Sequence, residues 1–212
     1  MTVDEHVAEL VAQGRRSLEM APNRFLEQLE RGEVPTDRLA ALAGELHHLV
    51  SSDRSSFAFL AARFPEPLFL AMAAAEEEAL GLLPAFAAAV GLGEKELRAY
   101  EPRALAQAYP AFVVRTAVFG PRSAIPLALL VNVEESGGFY ARVADALQVR
   151  YGFADEAVAH FRYFAETPEE VLEQAAGVVS TGLAAGDDPV QALRAARMVH
   201  TYEAVFWATV AG

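Results

Sequence analysis

His160-Phe161-Arg162-Tyr163-Phe164-Ala165-Glu166-Thr167-Pro168-Glu169-Glu170-Val171 holds the end of one helix and the start of the next. The aromatic-rich run stops near Glu166, and Pro168 takes the first position of a new helix, where no intrahelical N–H is needed. Upstream, Gly152 breaks a long helix and Asp155 begins the short one that ends near Glu166. Downstream, the helix from Pro168 runs to about Leu183. Gly186-Asp187-Asp188-Pro189 then stops the chain and restarts it, with Asp188 as cap and Pro189 in the first turn. The last helix reaches about Val210 and buries Leu193, Ala196, Val199, Tyr202 and Phe206.

The rest of the chain has the same punctuation. Thr2 caps a first helix to about Met20, and Pro22 starts a short one ended by Gly32 and Pro35. Thr36 or Asp37 caps a long helix to about Arg63, with Leu39, Leu42, Leu46, Leu49 or Val50, Phe57 and Leu60 inward. A helix over 67–90 follows Pro65 and Pro67 and ends at Gly91 and Gly93. Glu94 to Tyr100 reads as one short turn. Pro102 opens a helix carrying Tyr109, Phe112 and Val113, with a kink at Pro110. After Gly120-Pro121 a long helix spans Ser123 to Arg150. The expectation is an all-α bundle of seven to nine helices, forming one domain over residues 1–212.

Composition narrows the function. The 212 residues are 53% apolar, with a formal charge of −12 and no cysteine. Disulfides, thiolate metal sites and Cys nucleophiles are excluded. No basic cluster is available for a phosphate backbone, so no nucleic-acid partner is expected. The longest apolar run, Ile125 to Val133, is too short to span a bilayer, and the acidic N-terminal stretch is no signal peptide. No membrane association and a cytoplasmic location are expected.

Three patterns carry a resemblance. They are Glu45-Leu46-His47-His48-Leu49-Val50-Ser51-Ser52-Asp53, the terminal Tyr202-Glu203-Ala204-Val205-Phe206-Trp207, and the Tyr163-Phe164-Ala165…Pro168-Glu169 rhythm of the opening stretch. With the order of helices, they resemble the heme-oxygenase-like fold, in the branch holding the TenA thiaminases and the PQQ-synthesis oxidase PqqC. The resemblance implies that Asp53 stands where TenA proteins bind the substrate's aminopyrimidine, Glu203 at the catalytic Glu, and Phe164 at an active-site Tyr. TenA thiaminases of the usual kind carry a Cys nucleophile on the helix matching Ser123–Arg150, and here that region offers only Ser136 and Glu134–Glu135. Aligned with the fold's di-iron oxygenases, the chain has Phe164, Pro168 and Val171 where His, Asp and His ligands stand. Glu76 to Glu78 and Glu134 or Glu135 persist at carboxylate positions. His6 lies near the place of a heme's proximal His, and Ser136-Gly137-Gly138 is a fragment of that family's distal motif.

The side chains allow two readings each. Asp53 either pairs with Arg54 in solvent or hydrogen-bonds a cationic, amidine-like ligand edge. Glu203 is either an exposed boundary residue or a carboxylate desolvated by Phe206 and Trp207 and poised for proton transfer. Glu134 and Glu135 interrupt an apolar run, either satisfied by Arg142 or Arg162 or facing a ligand; the adjacent Gly137-Gly138 permits a bend or close approach. Glu76 reads as an edge residue beside Met72 and Leu80. His47 and His48 point about 100° apart, so at most one faces the core. His48, His160, Tyr109, Tyr140 and Tyr163 are pocket candidates or packing groups, and Trp207 joins them beside Glu203.

The favoured reading is a metal-free, cofactor-free TenA/PqqC-like protein binding a small nitrogen-bearing or aromatic metabolite. Its catalytic candidates are Glu203, Glu134 and Glu135. Its ligand-contact candidates are Asp53, His48, Tyr109, Tyr163, Phe164, His160 and Trp207. As an enzyme it would be a cofactor-independent oxidase or a C–N hydrolase. A non-catalytic ligand-binding or oligomeric scaffold stays open, as does a divergent di-iron or heme oxygenase-like enzyme. A homodimer or higher homo-oligomer is expected.

Overall fold

A computed structural model describes residues 3–18 and 23–212. Ten helical segments follow one another with no strand among the described residues: α1 (Val3–Arg16), α2 (Arg24–Glu30), α3 (Thr36–Arg63), α4 (Pro67–Ala89), α5 (Glu94–Arg98), α6 (Ala108–Phe119), α7 (Ala124–Tyr151), α8 (Asp155–Ala165), α9 (Glu169–Ala184) and α10 (Pro189–Ala211). Segment α5 is the expected short turn, and the other nine are the bundle. No helix among the described residues is long and apolar enough to cross a membrane. The expected cap Thr2, the helix end at Met20 and the start at Pro22 lie outside the described residues.

Local chemistry sets most boundaries. Asp188 accepts a hydrogen bond from the Val190 N–H at 2.9 Å, with Pro189 in the first turn. Gly152 ends α7 with φ +70°, a left-handed conformation suited to glycine. Pro35, without a side-chain cap, precedes α3, so Thr36 is its first residue and not its cap. The Asp37 carboxylate instead accepts from the Arg38 N–H. Likewise Pro168 occupies the cap position of α9, which begins at Glu169.

Two expectations near residue 105 are corrected. The helix after Tyr100 starts at Ala108 and not at Pro102. Residues 100–103 are held as a strap: the fully buried Glu45 accepts from the Tyr100 hydroxyl at 3.0 Å and the Arg103 N–H at 2.9 Å. The Arg103 guanidinium reaches the Thr209 carbonyl at 2.6 Å. Backbone and side chain are thus committed to α3 and α10 rather than to a helix. Pro110 then falls in the first turn of α6, where its missing N–H has no intrahelical acceptor to lose, so no kink is required.

The long helices α3 and α7 make few close backbone contacts with each other; α6 and α10 join them, and α4, α8 and α9 complete the bundle. Apolar side chains fall into three clusters. One centres on Phe25, Leu42, Phe86, Phe161 and Phe206, one on Leu127, Val131 and Val199, and one on Phe57, Leu60, Phe69 and Val178. Burial of each large side chain contributes about 1.5–3 kcal/mol. Tyr109 touches all three clusters. The cavity lies beside it.

Candidate functional site

Five helices each contribute side chains at spacings of three or four to one cavity of about 200 Å³, and a sixth adds a single residue. From α3 come Leu49, Val50, Asp53 and Phe57; from α10, Val199, Glu203, Phe206 and Trp207. Helix α7 supplies Asn132, Ser136 and Tyr140 on one line, α4 supplies Met72 and Glu76, and α6 supplies Tyr109 and Val113. Phe164, at the end of α8, closes one wall. Three of these groups are carboxyls: Asp53, Glu76 and Glu203. Among the described residues, no Lys, Arg or His lines the cavity.

The electrostatics follow from that imbalance. Asp53 is 3% exposed. Burial pushes its pKa up to about 8, and nearby Glu203 adds to the rise against a hydrogen bond from Tyr109 that favours the anion. Glu76 is driven well above the usual carboxylate range, by burial first and then by Asp53. Burial likewise raises Glu203, opposed by His200 and by hydrogen bonds from Ser136 and Trp207. The Ser136 hydroxyl donates to Glu203 Oε1 at 3.3 Å. Glu76 and Glu203 keep some accessible surface while lining the cavity, so their environment is less dry than that of Asp53. The Tyr109 and Tyr140 phenols, buried among these acids, are held neutral far above their ordinary range. Near neutral pH the site therefore stores protons on carboxyls. Such groups donate and accept protons at physiological pH.

Of the residues singled out in the sequence, Asp53, Glu203, Tyr109, Phe164 and Trp207 stand on the cavity wall. Arg54 pairs with Glu77 and not with Asp53. Glu134 and Glu135 point outward: Glu134 pairs with Arg15 at 3.0 Å, and Glu135 lies 3.7 Å from His200. Asn132, Ser136 and Tyr140 take the inward line of α7, and Glu134 and Glu135 fall to its outer side. Neither suggested arginine reaches these glutamates, since Arg142 binds Glu30 and Arg162 binds Asp145 and Gln148. His48 bonds the Tyr100 carbonyl at 2.8 Å, and Tyr163 donates to Glu78 at 3.2 Å. His160 is fully buried behind Phe164, with Nδ1 on the Ala79 carbonyl at 2.9 Å and its pKa lowered to about 4 by burial. None of these three lines the cavity. Glu76, expected at an edge, stands on the wall, and Asn132 is a wall residue that the sequence did not single out. Spacing held a signal for Asn132, four residues before Ser136 and eight before Tyr140.

Gly137 has a packing reason. A Cβ there would lie 2.7 Å from the Ala165 carbonyl oxygen, so α7 and the end of α8 meet only because it is glycine. Gly138 has no such neighbour.

No protein-family model matches the chain, and no curated protein gives a significant match. Solved structures do. A domain of unknown function with a heme oxygenase-like fold from Shewanella denitrificans superposes with TM-score 0.69, over 98% of this chain and 90% of that one, at 12% identity. This chain has the heme-oxygenase-like fold. A TenA homologue from P. horikoshii matches over 100% of both chains (TM-score 0.67, 15% identity). A TenA family transcription regulator from Silicibacter sp. matches over 95% of this chain and 96% of that one (TM-score 0.66, 16% identity).

Heme and di-iron centres are known on the heme-oxygenase-like fold, so the donor set here bears on both. The cavity wall offers carboxyls and phenols but no imidazole, and His6 is not on it. Among the described residues, no three His, Asp or Glu side chains gather in a metal-binding group. Phe164 occupies wall space at an expected ligand position. The residues present do not fit either centre.

Proposed function

We propose that the cavity binds a small, planar, nitrogen-bearing metabolite in its cationic form, without a metal or other cofactor. The supporting observation is the composition of the wall: Asp53, Glu76 and Glu203 line it with no basic side chain, beside the aromatic rings of Tyr109, Tyr140, Phe164 and Trp207. A cation satisfies all three terms at once. It supplies the counter-charge that lets a buried carboxyl ionise, donates N–H groups to acceptors, and stacks on aromatic rings. An anionic ligand would find no basic side chain to pair with.

In the catalytic version, Glu203 exchanges a proton with the bound molecule. Its raised pKa suits it to that role, and Ser136 and Trp207 hold its orientation. Asp53 orients the ligand's N–H edge. A receptor would use the same contacts without turnover. Mass spectrometry of small molecules released from the native protein tests the ligand class, with a basic nitrogen compound expected and a phosphate or carboxylate ester contradicting it. Glu203→Gln separates the two versions: turnover falls at least about 100-fold in a catalyst while binding persists.

We also propose that the protein works in the cytoplasm as a homo-oligomer. Phe59 on α3 and Val114, Val118 and Phe119 on the adjoining α6 are exposed and apolar, a surface that a second copy would cover.

A further inference from the structure

Asn132 is 7% exposed, lies on the cavity wall, and has one half of its amide committed. Its Nδ2 donates to the Ala128 carbonyl at 2.8 Å, one turn back on α7, and to the Ala196 carbonyl on α10 at 3.4 Å. Turning the amide over would set its oxygen against those two carbonyl oxygens, so the orientation is fixed by repulsion as well as attraction. Its Oδ1 is therefore an obligatory acceptor, and it is buried with no partner. A buried, unpaired acceptor costs about 1–3 kcal/mol. On α3, Asp53 Oδ1 is in the same condition. Asp53 stands on α3 and Asn132 on α7, so the two orphan acceptors belong to different walls of one cavity.

We infer that Asn132 is a specificity-determining residue: it accepts a hydrogen bond from a second N–H edge of the ligand, while Asp53 takes the first. The inference rests on the cation-binding reading and narrows it. The ligand class becomes a small planar cation with donors on two edges, such as an amino-substituted amidinium or an amino-substituted protonated heteroaromatic ring. A cation with one donor edge leaves Asn132 unsatisfied, and one carrying an ether oxygen at the second edge opposes two acceptors.

The test is calorimetric titration of the full chain with benzamidinium, 3- and 4-aminobenzamidinium, and the corresponding methoxybenzamidinium ions. Wild-type protein is expected to bind one amino isomer about tenfold more tightly than benzamidinium, and to bind the methoxy ions no more tightly than benzamidinium. Asn132→Val is expected to erase that preference, so that the amino and unsubstituted ions bind alike. Asn132→Thr, the same shape with a hydroxyl, is expected to keep part of it. Asn132→Leu provides the same comparison if the Val variant does not fold. Equal binding of amino and unsubstituted ions by wild type, or an amino preference that survives in the Val or Leu variant, overturns the role of Asn132 and leaves the cation reading standing. If none of the amidinium ions binds, the cation reading fails and the inference falls with it.

Discussion

At the scale of single residues, the protein keeps acids where burial opposes their charge. The sign of the consequence follows from Asp53, whose pKa rises from 3.8 to about 8 on folding. Below the unfolded value both states are protonated, and the raised pKa costs nothing. As pH rises toward 8, the unfolded chain releases its proton before the folded one, so this group's contribution to stability is progressively lost. Asp53→Asn should therefore be more stable than wild type at pH 8 and nearly equal at pH 4, with a gap on the order of 2–3 kcal/mol even if only half the shift operates. Urea unfolding at the two pH values measures it. A gap that shrinks between pH 4 and pH 8 would place Asp53 in a less demanding setting. Several wall residues could be read from sequence because aromatic and carboxylate positions recur at helical spacing, as for Glu203, Phe206 and Trp207 or for Asp53 and Phe57. Glu76 and Asn132 could not. Each residue along a helix turns the side chain by about 100°, so in a run such as Glu76-Glu77-Glu78 the chain's own charges do not say which one is inside.

At the scale of elements, glycine and proline made the helix order legible, and tertiary contacts decided what they left ambiguous. The strap before α6 shows the limit: nothing local announces that Glu45, 58 positions away, takes the Arg103 N–H. Gly44 belongs to the same device, because a Cβ there would lie 2.2 Å from the Tyr100 ring. Gly44→Ala should push the strap off α3 and lower stability by about 1–3 kcal/mol, read as a drop in thermal midpoint. Gly137→Ala should cost a similar amount by separating α7 from the end of α8. It should also weaken ligand binding, because Phe164 and Ser136 flank that contact. Gly138→Ala, in open space within the same helix, is expected to stabilise by up to about 1 kcal/mol and is the matched control.

At the scale of the whole molecule, a fold legible from helix order now frames a cavity whose chemistry is set by a few side chains. Light scattering is expected to give a mass that is a multiple of the chain's, and Phe59→Asp with Val114→Asp is expected to reduce it. A wild-type monomer at micromolar concentration would remove the proposed interface. The central claim concerns the cavity, and the sole tryptophan, Trp207, reports on it directly. Titrating benzamidinium against Trp207 fluorescence between about pH 6 and about pH 9 should show affinity rising with pH, approaching tenfold per unit, and levelling above about 8 as Asp53 gives up its proton to admit the cation. Affinity that is flat or falls over that range, or benzoate binding as tightly as benzamidinium, would contradict an acid-lined site for cations.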